Sequence, residues 1–165
     1  MRELNGLPTK KKLEKLGFSQ EMIELISKKK QELTIPLIPE MIRPIPAVLE
    51  TLQKVRELGL HFAVCSNSIR KTTEMMMEAI GVHDFAFLIS NEDVKHPKPH
   101  PEMYTKAMQK FGLQASEVLI IEDSPIGLEA AYQSGAHVCP IKNPYDIKKL
   151  MEALHEGYYP VSRQR

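Results

Sequence analysis

The stretch Val118-Leu119-Ile120-Ile121-Glu122-Asp123-Ser124-Pro125-Ile126-Gly127 decides the fold. Four aliphatics in succession call for burial on both faces, which a strand in a parallel sheet between helix layers provides. Ser124 can cap a helix, and Pro125 carries the fixed φ that suits a first helical turn. The helix predicted from Pro125 stops at Gly135, and His137 to Ile141 reads as the next strand. One strand, an acidic turn and one helix make a single βα unit.

The same punctuation recurs upstream. Ala47 to Leu58 reads as a helix closed by Gly59, and Leu60 to Cys65 as an apolar strand. Ile69 to Ile80 is helical up to Gly81, Phe85 to Ile89 is strand-like, and Pro101 to Phe111 is helical before Gly112. Tyr145 to His155 supplies a last helix. Alternating units of this kind fold as an open α/β sheet with right-handed crossovers.

Ahead of these units, Thr9 is placed to cap a helix over Lys10 to Leu16, and Ser19 a second helix through Leu33. Pro36, Pro39, Pro44 and Pro46 then fall within eleven residues and predict a break. The expected division is a helical piece over 1–38 and an α/β body over 39–165.

Composition narrows the function. The chain has 165 residues, 42% hydrophobic and 26% charged, with a net charge of +1. Such a balance argues against nucleic acid and a membrane surface as partners. No run approaches the length of a membrane span, and the first residues lack a secretory signal, so a cytoplasmic location is expected. Cys65 and Cys139 sit among apolar neighbours and read as free thiols. No Gly-x-Gly-x-x-Gly turn is present, which disfavours a dinucleotide enzyme.

In an open parallel sheet, ligands bind beyond the carboxyl ends of the strands. Three polar clusters lie there: Ser66-Asn67-Ser68, Asn91-Glu92-Asp93 and Glu122-Asp123-Ser124. Between the last two runs the proline-stiffened loop Lys95-His96-Pro97-Lys98-Pro99-His100-Pro101. Ser66 and Asn67 suit an anion, Lys98 supplies a point charge, and adjacent Glu122 and Asp123 suit magnesium. Ser66 alone could be a helix cap, the Glu122-Asp123-Ser124 turn an N-terminal cap, and Lys98 a solvated lysine. Their convergence on one crevice points to magnesium-dependent phosphoryl transfer. His96 and His100 read as loop-surface residues, Met75-Met76-Met77 as packing, and Lys10-Lys11-Lys12 as a solvated face or one that attracts anionic sugar phosphates.

Ser66 after its strand, His96 to Tyr104, and Ile120 to Ala131 together resemble motifs two, three and four of the haloacid dehalogenase superfamily. The β-phosphoglucomutase and phosphoglycolate phosphatase-like subgroup with a helical cap is the most similar. The resemblance implies a Rossmann-like α/β core with three layers and a partial α-helical cap. It implies Ser66 and Lys98 as catalytic residues, with Ser66, Asn67 and Lys98 binding phosphate. Glu122 and Asp123 would be the Mg2+ ligands, and a small phosphorylated metabolite the partner.

One departure is sharp. The family's Asp-x-Asp-Gly motif, which carries the nucleophile on the first and central strand, has no counterpart, and no aspartate occurs before Asp84. The expectation is an incomplete form whose sheet lacks that strand, either poorly stable or closed up, with another segment or chain supplying the missing piece. The alternative is a non-catalytic module that binds phosphate and magnesium.

Overall fold

The computed structural model describes Leu4 and residues 6–147. Six helices occur among them: α1 (Thr9–Lys15), α2 (Gln20–Met41), α3 (Pro46–Glu57), α4 (Arg70–Ala79), α5 (Glu102–Phe111) and α6 (Pro125–Gln133). Four strands alternate with the later helices: β1 (Val64–Cys65), β2 (Leu88–Ile89), β3 (Leu119–Glu122) and β4 (His137–Pro140). The chain is α/β, as its alternating pattern requires. The helix expected over Tyr145 to His155 lies largely outside the described residues.

Helix boundaries follow local chemistry, with two corrections. Ser19 caps α2 by accepting from the Met22 N–H at 3.4 Å. Thr9, however, is not a cap; Pro8 precedes the first turn, and the Thr9 hydroxyl accepts from Lys30 at 2.8 Å. Nor does α2 stop near Leu33. It continues through Pro36 and Pro39 to Met41, three residues past the expected division at 38. Each of these prolines lacks an N–H and crowds the carbonyl four residues back, so α2 forgoes bonds to the carbonyls of Glu32 and Ile35. Pro36, Pro39 and Glu32 are exposed. Arg43 then covers the helix end, donating to the carbonyls of Pro39 and Ile42 at 2.9 and 2.8 Å.

The strands pair as two separate parallel ladders. Val64 and Cys65 align with Leu88 and Ile89, and Leu119 to Glu122 with His137 to Pro140. Among the described residues no ladder joins β1 to β3. The sheet has therefore not closed up, contrary to one of the two expected outcomes. Backbone groups alternate sides along a parallel strand. Val64 and Ser66 donate to β2, while Glu122 and Val118 accept from the β4 side. The backbone groups of Cys65, Leu119 and Ile121 thus point toward the interval between the two ladders. The Ile121 side chain is 39% exposed in the middle of an aliphatic run. β1 and β2 are also shorter than predicted, at two residues each.

The main core lies under the second ladder. Tyr104, Met108, Ile120, Ala130, Ala131 and Val138 form one buried cluster, with Cys65 at its margin. Cys65 and Cys139 are free thiols. Among the described residues no helix is long and apolar enough to cross a membrane.

Candidate active site

The three polar clusters, all but Asp93, and Lys98 of the proline loop line one cleft of about 940 Å3, whose further wall comes from α1 and α2. Ser66, Asn67, Lys98, Glu122 and Asp123 are all brought together there. At its floor lies Lys98, buried at 6% exposure. Its Nζ donates to Glu122 Oε2 at 2.7 Å and to the Cys65 carbonyl at 3.1 Å. One ammonium therefore ties the carboxyl end of β1 to that of β3 across the open interval. It also sits 4.7 Å above the Tyr104 ring, a cation–π contact in a dry setting.

Glu122 is buried and heavily bonded. Beside Lys98, its Oε2 accepts from the Tyr104 hydroxyl at 2.7 Å. Its Oε1 accepts from the N–H groups of Asp123 and Ser124, each at 3.0 Å, and from the Ser124 hydroxyl at 2.9 Å. Burial alone would push this carboxyl up, but Lys98 outweighs it and holds Glu122 well below the usual carboxylate range. Burial and the Glu122 charge push the Tyr104 hydroxyl up, so it stays a donor. A β-carbon on Gly127 would fall on the Glu122 carboxylate, so that position has room for glycine alone.

These bonds divide the acidic pair. The carboxylate of Glu122 serves Lys98 and the turn, whereas Asp123 is exposed and open to the cleft. Burial, and then the neighbouring Glu122 through a side-chain hydrogen bond and its charge, push Asp123 up. Asn91 Oδ1 is a buried acceptor with no partner among the described residues, and its side chain lines the same cleft. One open carboxylate and an orphaned carbonyl oxygen are hard donors, and they fit an ion that keeps several waters, as magnesium does. Among the described residues no group of three or more His, Cys, Asp or Glu gathers as a ready-made metal cage.

The Asn67 side chain is occupied. Its Nδ2 donates to the carbonyls of Lys98 and Gly6 at 3.0 and 3.1 Å, and its Oδ1 accepts from the Lys98 N–H at 3.0 Å. It staples the proline loop to the end of β1 and to the root of α1. That leaves the Asn67 backbone N–H, with the Ser66 hydroxyl, as the groups suited to an anion. Glu102 stiffens the loop from its other side, accepting from the N–H groups of Lys95 and His96 at 2.9 Å each. Asp93 turns to Arg70, at 2.8 Å, and to the Ser90 hydroxyl, at 2.7 Å, so its role is structural. Burial pushes the Cys65 thiol up to about 11, which keeps it protonated and unreactive.

Sequence reasoning missed the roles of Tyr104 and Gly127. Both had a weak signal: a tyrosine three residues into the helix after the lysine loop, and a glycine inside a first helical turn.

Residues 1–141 match the family of haloacid dehalogenase-like hydrolases. A haloacid dehalogenase-like hydrolase domain-containing protein from Arabidopsis thaliana is 33% identical over 98 residues, 57% of this chain and 31% of that protein. Hexitol phosphatase A from Escherichia coli is 26% identical over 113 residues, 68% of this chain and 52% of that one. Among solved structures, a β-phosphoglucomutase from Clostridium difficile superposes with a TM-score of 0.80 at 19% identity, covering 95% of this chain and 79% of its own. The chain spans between about a third and three-fifths of the length of the curated relatives it matches. With its parallel βα units, buried lysine and Glu-Asp-Ser turn converging on one cleft, this chain belongs to the haloacid dehalogenase-like hydrolases.

Proposed function

We propose that the chain is the phosphate- and metal-binding body of a magnesium-dependent phosphatase or phosphomutase that acts on small phosphate esters such as sugar phosphates. The observation that carries this reading is Lys98, whose buried ammonium joins β1 and β3 at the floor of the cleft. A fixed positive charge there neutralises phosphoryl oxygens without any rearrangement. The Ser66 hydroxyl and the Asn67 N–H orient the phosphate. Asp123, with Asn91, would hold Mg2+, which when bound supplies further charge neutralisation. Relatives bearing the names hexitol phosphatase and β-phosphoglucomutase favour a phosphorylated sugar. Two free cysteines suit a reducing, cytoplasmic compartment.

Among the described residues, the strand-end wall of this cleft offers no free nucleophile. Glu122 is bonded to Lys98, Glu92 accepts from the Arg70 N–H at 2.7 Å, and Asp123 is the proposed metal ligand. The interval between β1 and β3 has backbone groups aimed into it from both sides, which favours one more parallel strand. Such a strand, from another segment or another chain, would end beside Lys98 and bring the missing carboxylate. The same observations favour a second reading, a binding module that holds phosphate and magnesium without turnover.

Turnover of an aryl phosphate with magnesium decides between them. The first reading expects activity once a strand ending in Asp-x-Asp is joined to the chain, and its loss in Asp123→Asn. The second expects magnesium plus phosphate to raise the melting temperature of the 165-residue chain with no turnover in either form.

A further inference from the structure

A second hollow lies beside the cleft, enclosed by α1, the proline loop and α6. It measures about 400 Å3, within the range of small-molecule sites. Leu7, Pro97 and Pro99 give it an apolar lining, each of them half-buried. Lys11 and Lys15, one turn apart on α1, and the imidazoles of His96 and His100 complete it, all four exposed. Leu7 and Lys98 belong to both spaces. The Lys98 ammonium is turned to Glu122 and the Cys65 carbonyl, so the hollow takes its charge from other side chains.

That charge is cationic and uncompensated. Lys11 and Lys15 have no acidic partner among the described residues, and the one carboxylate in the lining, Glu129, accepts from Gln133 at 3.2 Å. The rings of His96 and His100 lie 4.9 Å apart, centre to centre. Paired imidazoles invite a metal, but His100 Nδ1 accepts from the Glu102 N–H at 3.2 Å, which leaves the ring proton on Nε2. A nitrogen that keeps its proton donates to an anion and does not ligate a metal. The loop is also held in place beforehand, by Glu102 at Lys95 and His96 and by Asn67 at Lys98, so little ordering is needed to bind.

We propose that this hollow binds a small organic anion with an apolar body. Its carboxylate or phosphate sits among Lys11, Lys15 and the His100 Nε2–H, and its body lies against Leu7, Pro97 and Pro99. Both halves are needed, since exposed lysines alone hold an anion weakly in water and the covered apolar area adds the remainder. The site is separate from the cleft, and no part of the phosphate reading is used to reach it.

The test is amide NMR of the isotope-labelled full chain titrated with naphthoate, with naphthamide and acetate as controls for charge and for body. Naphthoate should shift the amides of Lys11, Lys15, His96 and His100 and bind about tenfold tighter than either control. Naphthyl phosphate forms a second arm, and the tighter of the two anions at those amides identifies the head group. In K11Q/K15Q, which alters exposed side chains only, naphthoate should fall to the affinity of naphthamide while naphthamide itself is unmoved. Equal affinity for naphthoate and either control, or an advantage that survives K11Q/K15Q, would overturn the proposal. So would shifts confined to Ser66 and Asn67 or to the outer residues of α2, or no binding of naphthoate at all.

Discussion

Removing the Lys98 ammonium would strand the Glu122 carboxylate in a buried pocket with the Tyr104 and Ser124 hydroxyls and two backbone N–H groups as its remaining company. An uncompensated buried charge costs about 3–5 kcal/mol, so Lys98→Met should lower the unfolding free energy by that amount in a urea titration. Adding Glu122→Gln should recover part of it, because the two groups are in contact and their effects do not add. Gly127→Ala tests the same pair from the other side. Its methyl would displace the carboxylate, with an expected loss of more than about 3 kcal/mol. Asp93 offers a pH test. Burial would push its carboxyl up, yet the Ser90 hydroxyl and N–H and the Arg70 guanidinium outweigh that and hold it down at about 2. The stabilisation it brings is complete above its unfolded value of about 3.9 and is lost as the pH falls through about 2. Asp93→Asn should therefore cost about 1–3 kcal/mol at neutral pH, shrinking over that window in thermal melts. At this scale the sequence named the residues of the cleft but not their division of labour. Two adjacent carboxylates look alike in one dimension. Only the fold shows that Glu122 points to Lys98 and Asp123 to open space.

Among the elements, α2 departs most from its sequence signal. Two prolines in four residues predict a break, yet the helix runs over both, because the lost bonds lie on its outer face and Arg43 closes its end. Pro39→Ala restores the bond to the Ile35 carbonyl and should stabilise the chain by about 1–2 kcal/mol, read as a rise in melting temperature. Helix ends elsewhere were legible because glycine marks them. Gly112, at φ 71°, closes α5 in the left-handed region, and Gly112→Ala should cost about 1 kcal/mol. Strand lengths were less legible. A largely apolar run such as Leu60 to Cys65 shows a capacity for pairing, and the neighbours available decide how much of it is used.

For the molecule as a whole, the interval between the ladders dominates. The N–H groups of Val64 and Ser66 donate to Phe87 and Ile89, whereas those of Cys65 and Ile121 face the interval. Hydrogen exchange should separate them, with Cys65 and Ile121 exchanging about tenfold faster or more, and the gap closing once a strand is supplied. The α/β class, the cleft and the family were all readable from alternation and motif order. A sheet without its central strand was readable as well, but that the ladders stay apart instead of closing up was not, since periodicity describes what each strand buries and not which strand lies beside it. Unfilled, the interval also gives the molecule a concentration limit. Each copy presents two raw strand edges, and raw edges template one another. Light scattering from a concentrated sample should grow with time, and a strand seated between Cys65 and Ile121 should work as a solubiliser, keeping copies apart by occupying the place where they would meet.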